Sequence, residues 1–220
     1  MLKMVRIDCD VLGYKFHVYD FEKSISHEYI MRDIREQDMY KLKKFNGIDG
    51  NILDVGANIG IMSILFAKMF PSFKIYAIEP LKCSYNNLCK AISENGTSNI
   101  FAYNLAVGDE NTECYAAAGE EMSGGAHCYK KFEDIKSYAT ENTVRMVTPK
   151  ELFKIIGISR FALLKMDCEG GEHGFFKSLT DKEIDDCFEH ITAEFHGHEA
   201  GSLVARIKDI KKEKAALWCI

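Results

Sequence analysis

The sequence predicts an α/β protein built on a doubly wound, mostly parallel sheet. Two observations carry the prediction. A strand–helix–strand–helix–strand rhythm begins near Asn51, and a glycine-bearing turn, Gly56-Ala57-Asn58-Ile59-Gly60, directly follows its first strand. Strands that alternate with helices are joined by right-handed crossovers and pair in parallel.

The elements follow in order. Residues 4–9 and 14–19 read as short strands joined through Gly13, a hairpin. Residues 26–44 are helix-prone, with Ile30, Ile34 and Leu42 near helical spacing and Ser26 as a cap. Asn46-Gly47 and Asp49-Gly50 mark turns. Residues 52–55 form a buried strand. Residues 61–70 are apolar nearly all round, so that helix should be covered on two sides. Pro71 ends it, and residues 73–79 alternate as the second strand. Tyr85, Leu88, Cys89 and Ile92 describe an amphipathic helix, and residues 100–105 the third strand.

The rhythm breaks over residues 108–147, where Gly119 and Ser123-Gly124-Gly125 sit among mixed polar and aromatic residues. This reads as a β-rich insertion. Order returns at Thr148-Pro149-Lys150-Glu151, a cap, a first-turn proline and a capping-box acid, and Gly157 stops that helix. Residues 161–167 are the fourth strand, and Thr180-Asp181-Lys182-Glu183 is a second capping box. Residues 190–196 are the fifth strand, 203–214 the last helix and 215–220 a sixth strand. Residues 1–50 are therefore expected to pack on the core without folding independently, and 51–220 to form the main domain.

The chain has 220 residues, 47% of them apolar and 28% charged, the proportions of a globular protein. Its net charge of −5 argues against a dedicated nucleic-acid binder. Lys41, Lys43 and Lys44, and Lys208, Lys211, Lys212 and Lys214, read as solvated helix faces. The eight cysteines include no Cys-x-x-Cys pair and are expected to be small reduced core residues. No signal-peptide region is visible, and the apolar run at 59–70 is too short to span a bilayer, so the expectation is a cytoplasmic protein without a membrane partner.

Ligands of such sheets bind at the carboxyl ends of the strands near the switch point. Gly56 and Gly60 allow a tight turn there, and the next helix aims its first amides at an anionic group. A dinucleotide fingerprint needs glycine where Asn58 stands and glycine or alanine where Ile61 stands, so that pattern is not met. Glu79 ends the second strand, nineteen residues after Gly60, where a carboxylate can accept both hydroxyls of a ribose.

Three runs belong together: Asp54-Val55-Gly56-Ala57-Asn58-Ile59-Gly60, Glu79-Pro80, and Leu164-Lys165-Met166-Asp167-Cys168-Glu169-Gly170-Gly171-Glu172. Over roughly residues 50–196 they resemble the FkbM-type family of class I S-adenosylmethionine-dependent methyltransferases. The resemblance implies a Rossmann-like fold that binds S-adenosylmethionine and releases S-adenosylhomocysteine. It implies that Asp54, Gly56, Asn58 and Gly60 line the methionine and ribose part of the cofactor. Glu79, followed by Pro80, would hold the ribose, and Asn104 to Ala106 would lie against the adenine. Class I enzymes usually add a seventh, antiparallel strand, whereas six are legible here. Cys168 stands where an aliphatic residue is commoner.

Methyl transfer from a sulfonium is an in-line displacement, and an alcohol acceptor must also lose a proton to a base. Asp167, Glu194 and His196, at the ends of the fourth and fifth strands, are the candidates, with His198 just beyond. Glu169 and Glu172 flank two glycines at a helix start, where acids also suit the helix dipole. Asp167, Glu194 and His196 can also ligate a divalent cation, although no metal is part of the expected site. No Asn/Asp-Pro-Pro-Tyr/Phe run occurs, which favours an oxygen acceptor over a base amino group. The resemblance points to O-methylation of a sugar or small metabolite. The partner is then a small-molecule or glycan acceptor, gripped by the N-terminal segment and the 108–147 arm, with a homo-oligomer left open. A nicotinamide oxidoreductase is the alternative that Ile61 opposes. A non-catalytic cofactor-binding module is opposed by Gly56, Gly60, Glu79 and Asp167.

Overall fold

The computed structural model describes residues 3–37, 40–42, 48–119, 124–134 and 140–219. The chain opens with the expected hairpin, Met4–Val11 (β1) against Tyr14–Phe21 (β2), with Val11 opposite Tyr14. Leu12 and Gly13 both take positive φ, 53° and 82°, the turn geometry whose twist matches a hairpin.

Helix Ser26–Arg32 (α1) is shorter than the sequence suggests and passes into a π-helical stretch, Asp33–Gln37. Lys43, Lys44 and the Asn46-Gly47 turn lie outside the described residues. Ser26 is not the cap. Ile25 occupies that position without a side-chain bond, and the Ser26 hydroxyl instead accepts the Gly124 amide at 2.9 Å.

The next elements are Ile52–Val55 (β3), Ile61–Met69 (α2), Ile75–Ile78 (β4), Lys82–Asn95 (α3) and Ile100–Tyr103 (β5). Four arm strands follow: Ala106–Val107 (β6), Thr112–Ala118 (β7), His127–Tyr129 (β8) and Thr140–Val147 (β9). The chain continues through Pro149–Ile156 (α4), Phe161–Met166 (β10), Gly171–Lys177 (α5), Asp181–Cys187 (α6), Phe188–Phe195 (β11), Ala200–Lys211 (α7) and Ala215–Cys219 (β12).

The main sheet has the order β12-β11-β10-β3-β4-β5, and every neighbouring pair in it is parallel. This is the doubly wound arrangement, with the chain reversing direction of growth between β3 and β10. Strands expected to run through 79, 105 and 167 end instead at Ile78, Tyr103 and Met166. Glu79, Asn104 and Asp167 lie just past those ends, where Glu79 and Asn104 hold the turns and Asp167 lines a cavity. No seventh strand pairs with this sheet among the described residues.

Each face of the sheet is covered. On one, Phe175 and Phe176 of α5, Phe188 and Phe195 of β11 and Leu203 of α7 pack together. On the other lies α2, whose residues Ile61 to Ala67 are all buried between the sheet and the hairpin residues Phe16 and Val18. The all-round apolar character of α2 reflects those two layers. The arm folds as a separate sheet, β6-β9-β7-β8, with Cys114, Ala116, Val144 and Met146 packed against Leu81.

Thr148 and Thr180 both cap their helices, but differently. Thr148 accepts the Glu151 amide, yet the Glu151 carboxylate turns to Arg145 at 2.8 Å, leaving that box half closed. Thr180 and Glu183 make the complete reciprocal box. Replacing Thr180 with alanine is expected to cost about 1 kcal/mol. A urea unfolding curve checks this, and an unshifted midpoint would count against the box.

Two further expectations are corrected. Cys9 and Cys114 are buried and Cys219 is exposed, while the other five cysteines are half-buried rather than core residues. Lys211 is not on a solvated face: it is 5% exposed, and its ammonium donates to Asp185 at the carbonyl (2.9 Å) and the carboxylate (2.8 Å). No described helix is long and apolar enough to cross a membrane.

Candidate functional site

Two loops meet at the switch point. Gly56 leaves β3 with φ +76°, and a Cβ there would lie 1.7 Å from the Asp167 carbonyl oxygen. The glycine is required because the loops after β3 and β10 press together. The Gly56 and Ala57 amides both donate to the Ile78 carbonyl at 3.0 Å, which fastens the turn to β4. Gly60, at φ +95°, starts α2, and a Cβ there would meet Leu88 of α3 at 2.5 Å.

Lys165 secures the same junction from below. Its ammonium donates to the Gly56 carbonyl at 2.9 Å and lies 3.3 Å from Asp54. The other Asp54 oxygen accepts the Ser63 hydroxyl at 2.6 Å. Asp54 is wholly buried under the turn, so its carboxylate supports the loop and does not face a cavity. Burial works against the Lys165 ammonium, but Asp54 and Asp167 outweigh it and hold its pKa above the usual value.

Glu79 sits beneath the turn, 4% exposed. One oxygen accepts the Asn58 amide and the other the Leu81 amide, each at 2.8 Å, so each keeps a further lone pair. Burial pushes its carboxyl up to about 7 against the pull of those amides. Asn58 has φ 49°, a left-handed conformation that asparagine tolerates better than most residues. Both polar atoms of its side chain are buried without a hydrogen-bond partner. The Asn104 side chain donates to the carbonyls of Glu79 and Pro80, each at 2.9 Å, so it clamps the loop while the buried Leu105 and Ala106 line the neighbouring cavity.

Two cavities flank Gly56. One, of about 320 Å³, is walled by Ile78, Pro80, Leu105, Ala106 and Met146 together with the charged Asp109, Lys130 and Glu169. The other, of about 230 Å³, is walled by Tyr40, Asn58, Lys165, Asp167, Glu169 and Glu194, with Ser26, Tyr29 and Ile30 of α1 at its edge. Gly56 and Glu169 line both. Gly124 and Gly125 of the arm also reach the second cavity, so the arm and α1 meet over it.

The acids expected at the ends of β10 and β11 line this second cavity, and His196 lies beside them. Asp167 accepts the Tyr40 hydroxyl at 3.2 Å. Glu194 is 7% exposed, and burial, with Asp167 close by, pushes its carboxyl up to about 7. His196 holds Glu172 through Nδ1 at 3.2 Å, and its Nε2 lies 3.6 Å from both Glu169 and Glu194. Burial disfavours its imidazolium, but Glu172, Glu169 and Asp167 more than offset that and raise its pKa to about 9. Glu172 has a second duty. It accepts the amides of Cys168 and Gly170 at 2.8 Å, closing the loop that opens α5. Glu169 adopts φ 54°, a conformation that costs a side-chain-bearing residue about 1 kcal/mol or more. His198 is exposed and makes no part of this group.

Tyr40 and Lys165 were not picked out as site residues from the sequence. Tyr40 comes from a distant segment with no motif. Lys165 did carry a signal, a lone charge inside the buried strand Phe-Ala-Leu-Leu-Lys-Met, where an ammonium needs a partner.

The family described as "Methyltransferase FkbM domain" matches residues 54–213, a span from the base of the turn through β11 to α7. A protein described as "Methyltransferase 1" from Beauveria bassiana (strain ARSEF 2860) is 24% identical over 173 residues, 72% of this chain and 69% of its own. A solved SAM-dependent methyltransferase from Agrobacterium tumefaciens aligns over 97% of this chain with a TM-score of 0.49 and 10% identity. The chain spans 60% of the length of that solved protein.

Proposed function

The chain belongs to the FkbM methyltransferase family, and on that premise we propose that it moves the methyl group of S-adenosylmethionine to a hydroxyl oxygen of a sugar or small metabolite. One observation carries the reading: a cavity with an apolar wall of Ile78, Leu105, Ala106 and Met146 and a cavity lined by Asp167, Glu169 and Glu194 share Gly56 at the switch point. The apolar wall of the first cavity suits an adenine ring, with Leu105 and Ala106 against it. The second cavity suits the methionine portion and the acceptor. Asn58, whose buried amide has no protein partner, supplies a donor and an acceptor for the cofactor's polar end. A buried amide left unpaired costs about 1–3 kcal/mol, which a bound ligand recovers.

The protein's part in the chemistry is alignment and proton removal. The buried Tyr40, with Ile30 at the cavity's edge, limits the access of water to the acceptor side. A base works best when its pKa is near the working pH. Glu194, raised to about 7, meets that condition, and Asp167 stands beside it. The acceptor hydroxyl then gives its proton to one of these carboxylates as its oxygen attacks the methyl carbon.

Calorimetry with S-adenosylhomocysteine tests the cofactor half of the reading. The wild-type chain is expected to bind at one site, and Glu79→Gln to bind about tenfold more weakly, the worth of one charge-assisted hydrogen bond. Circular dichroism separates a lost ligand bond from a disturbed turn. A folded wild-type chain that binds neither S-adenosylmethionine nor its product sinks the proposal. A thermal shift with NAD or NADP instead would favour an oxidoreductase.

A further inference from the structure

We propose that Asp167, Glu169 and His196, at the carboxyl ends of β10 and β11 beside the second cavity, ligate a divalent cation, and that this ion carries the acceptor's oxygen. One carboxylate oxygen from each acid and a ring nitrogen of His196 lie within 4.8 Å of one another. Metal–oxygen and metal–imidazole bonds are about 2.0–2.3 Å, so small side-chain rotations bring all three donors onto one ion. The ligands come from two strand ends that the sheet already fixes, which lowers the ordering cost of the site.

The surroundings point to a cation independently. Glu194 is 7% exposed, lines the same cavity and directs Oε1 to within 3.6 Å of His196 Nε2, too far for a hydrogen bond. Glu169 and Glu194 therefore converge on His196 Nε2, with Asp167 in the same group. Lys165 offsets only part of this charge, because its ammonium is engaged by Asp54 and the Gly56 carbonyl as well as lying near Asp167. His196 is also oriented as a metal ligand usually is. Glu172 holds Nδ1 at 3.2 Å, which leaves Nε2 turned to the carboxylates. Oxygen donors with a single imidazole suit Mn²⁺ or Mg²⁺ better than a softer ion. An acceptor hydroxyl on the ion would be a stronger acid and would lie on the methyl-transfer side of Gly56.

The cation site stands without the methyltransferase reading, and only its role toward the acceptor rests on it. The full-length chain, stripped with EDTA, is titrated with MnCl₂, and free Mn²⁺ is followed by its electron paramagnetic resonance signal. One ion per chain is expected, with affinity falling at least tenfold in both Glu169→Gln and His196→Asn. Asp186→Asn, an exposed acid paired with Lys182, should leave affinity unchanged. Circular dichroism confirms that each variant is folded, and Glu169→Asp, which keeps the charge, should retain more affinity than Glu169→Gln. No saturable binding to the folded wild-type chain overturns the proposal, and His196 is then simply an imidazolium paired with its acids. Binding that neither substitution alters overturns it too. Parallel calorimetry with S-adenosylhomocysteine keeps the two readings apart. Cofactor binding without Mn²⁺ binding removes the ion and leaves the methyltransferase reading standing, and the converse does the opposite.

Discussion

Gly56→Ala is expected to be the most damaging single substitution in the turn, lowering stability by about 4 kcal/mol or preventing folding. Two costs coincide. The φ of +76° is one that residues with a Cβ avoid, and the new Cβ would sit 1.7 Å from the Asp167 carbonyl oxygen. The obstacle is backbone, so no rotamer relieves it. Relief requires the loops after β3 and β10 to separate, which pulls the Gly56 carbonyl from Lys165. Gly96 supplies the comparison. Its φ is +65°, but a Cβ there meets nothing within 4 Å, so Gly96→Ala should cost only about 1 kcal/mol. Urea unfolding reads both. With a slope of about 2 kcal/mol per molar, Gly56→Ala should move the midpoint by about 2 M. Equal shifts for the two variants would mean that backbone conformation alone, and not the meeting of the loops, demands glycine at 56.

The same contact explains which parts of the site can be read from the sequence. The sheet is legible because its central strands are short buried runs punctuated by turns, and Gly56, Gly60 and Glu79 fall at characteristic positions around the first crossover. The glycine pattern suggests room for a ligand. The structure adds a different reason for Gly56, the pressure of a loop more than a hundred residues further on. Periodicity also cannot say where a side chain leaves the sheet, so Glu79, Asn104 and Asp167 read as strand residues although each lies just past a strand end. Partnerships across long sequence separations are invisible for the same reason. Tyr40 reaches Asp167, and Ser26 reaches Gly124 instead of capping its own helix. Glu151 satisfies a capping-box pattern, but Arg145 competes for its carboxylate. Glu172 combines a loop-closing role with the orientation of His196, and the first role is the only one its position beside two glycines reveals.

Lys165→Met should cost about 3–5 kcal/mol, the usual penalty for removing one partner of a buried ion pair. Methionine preserves most of the volume and the apolar stem, so the loss is electrostatic. Asp54 is wholly buried and Lys165 is 3% exposed. Without the ammonium, Asp54 keeps only the Ser63 hydroxyl on one oxygen, and the Gly56 carbonyl loses its donor. The double variant Asp54→Asn, Lys165→Met tests this directly, because it removes the stranded charge. It should recover a good part of the lost stability, whereas additive losses would contradict the pairing. The pH dependence follows from the raised Lys165 pKa. A cation favoured by the fold stabilises it fully below the unfolded value, and that contribution fades only as pH climbs past about 10.5 and through the folded value. The wild-type advantage over Lys165→Met should thus stay flat through neutral pH on the lysine's account. Affinity for S-adenosylhomocysteine should fall as well, because Lys165 holds the Gly56 carbonyl at the junction of the two cavities. Full cofactor affinity in a destabilised but folded Lys165→Met chain would show that the ion pair serves the fold and leaves the cofactor turn in place.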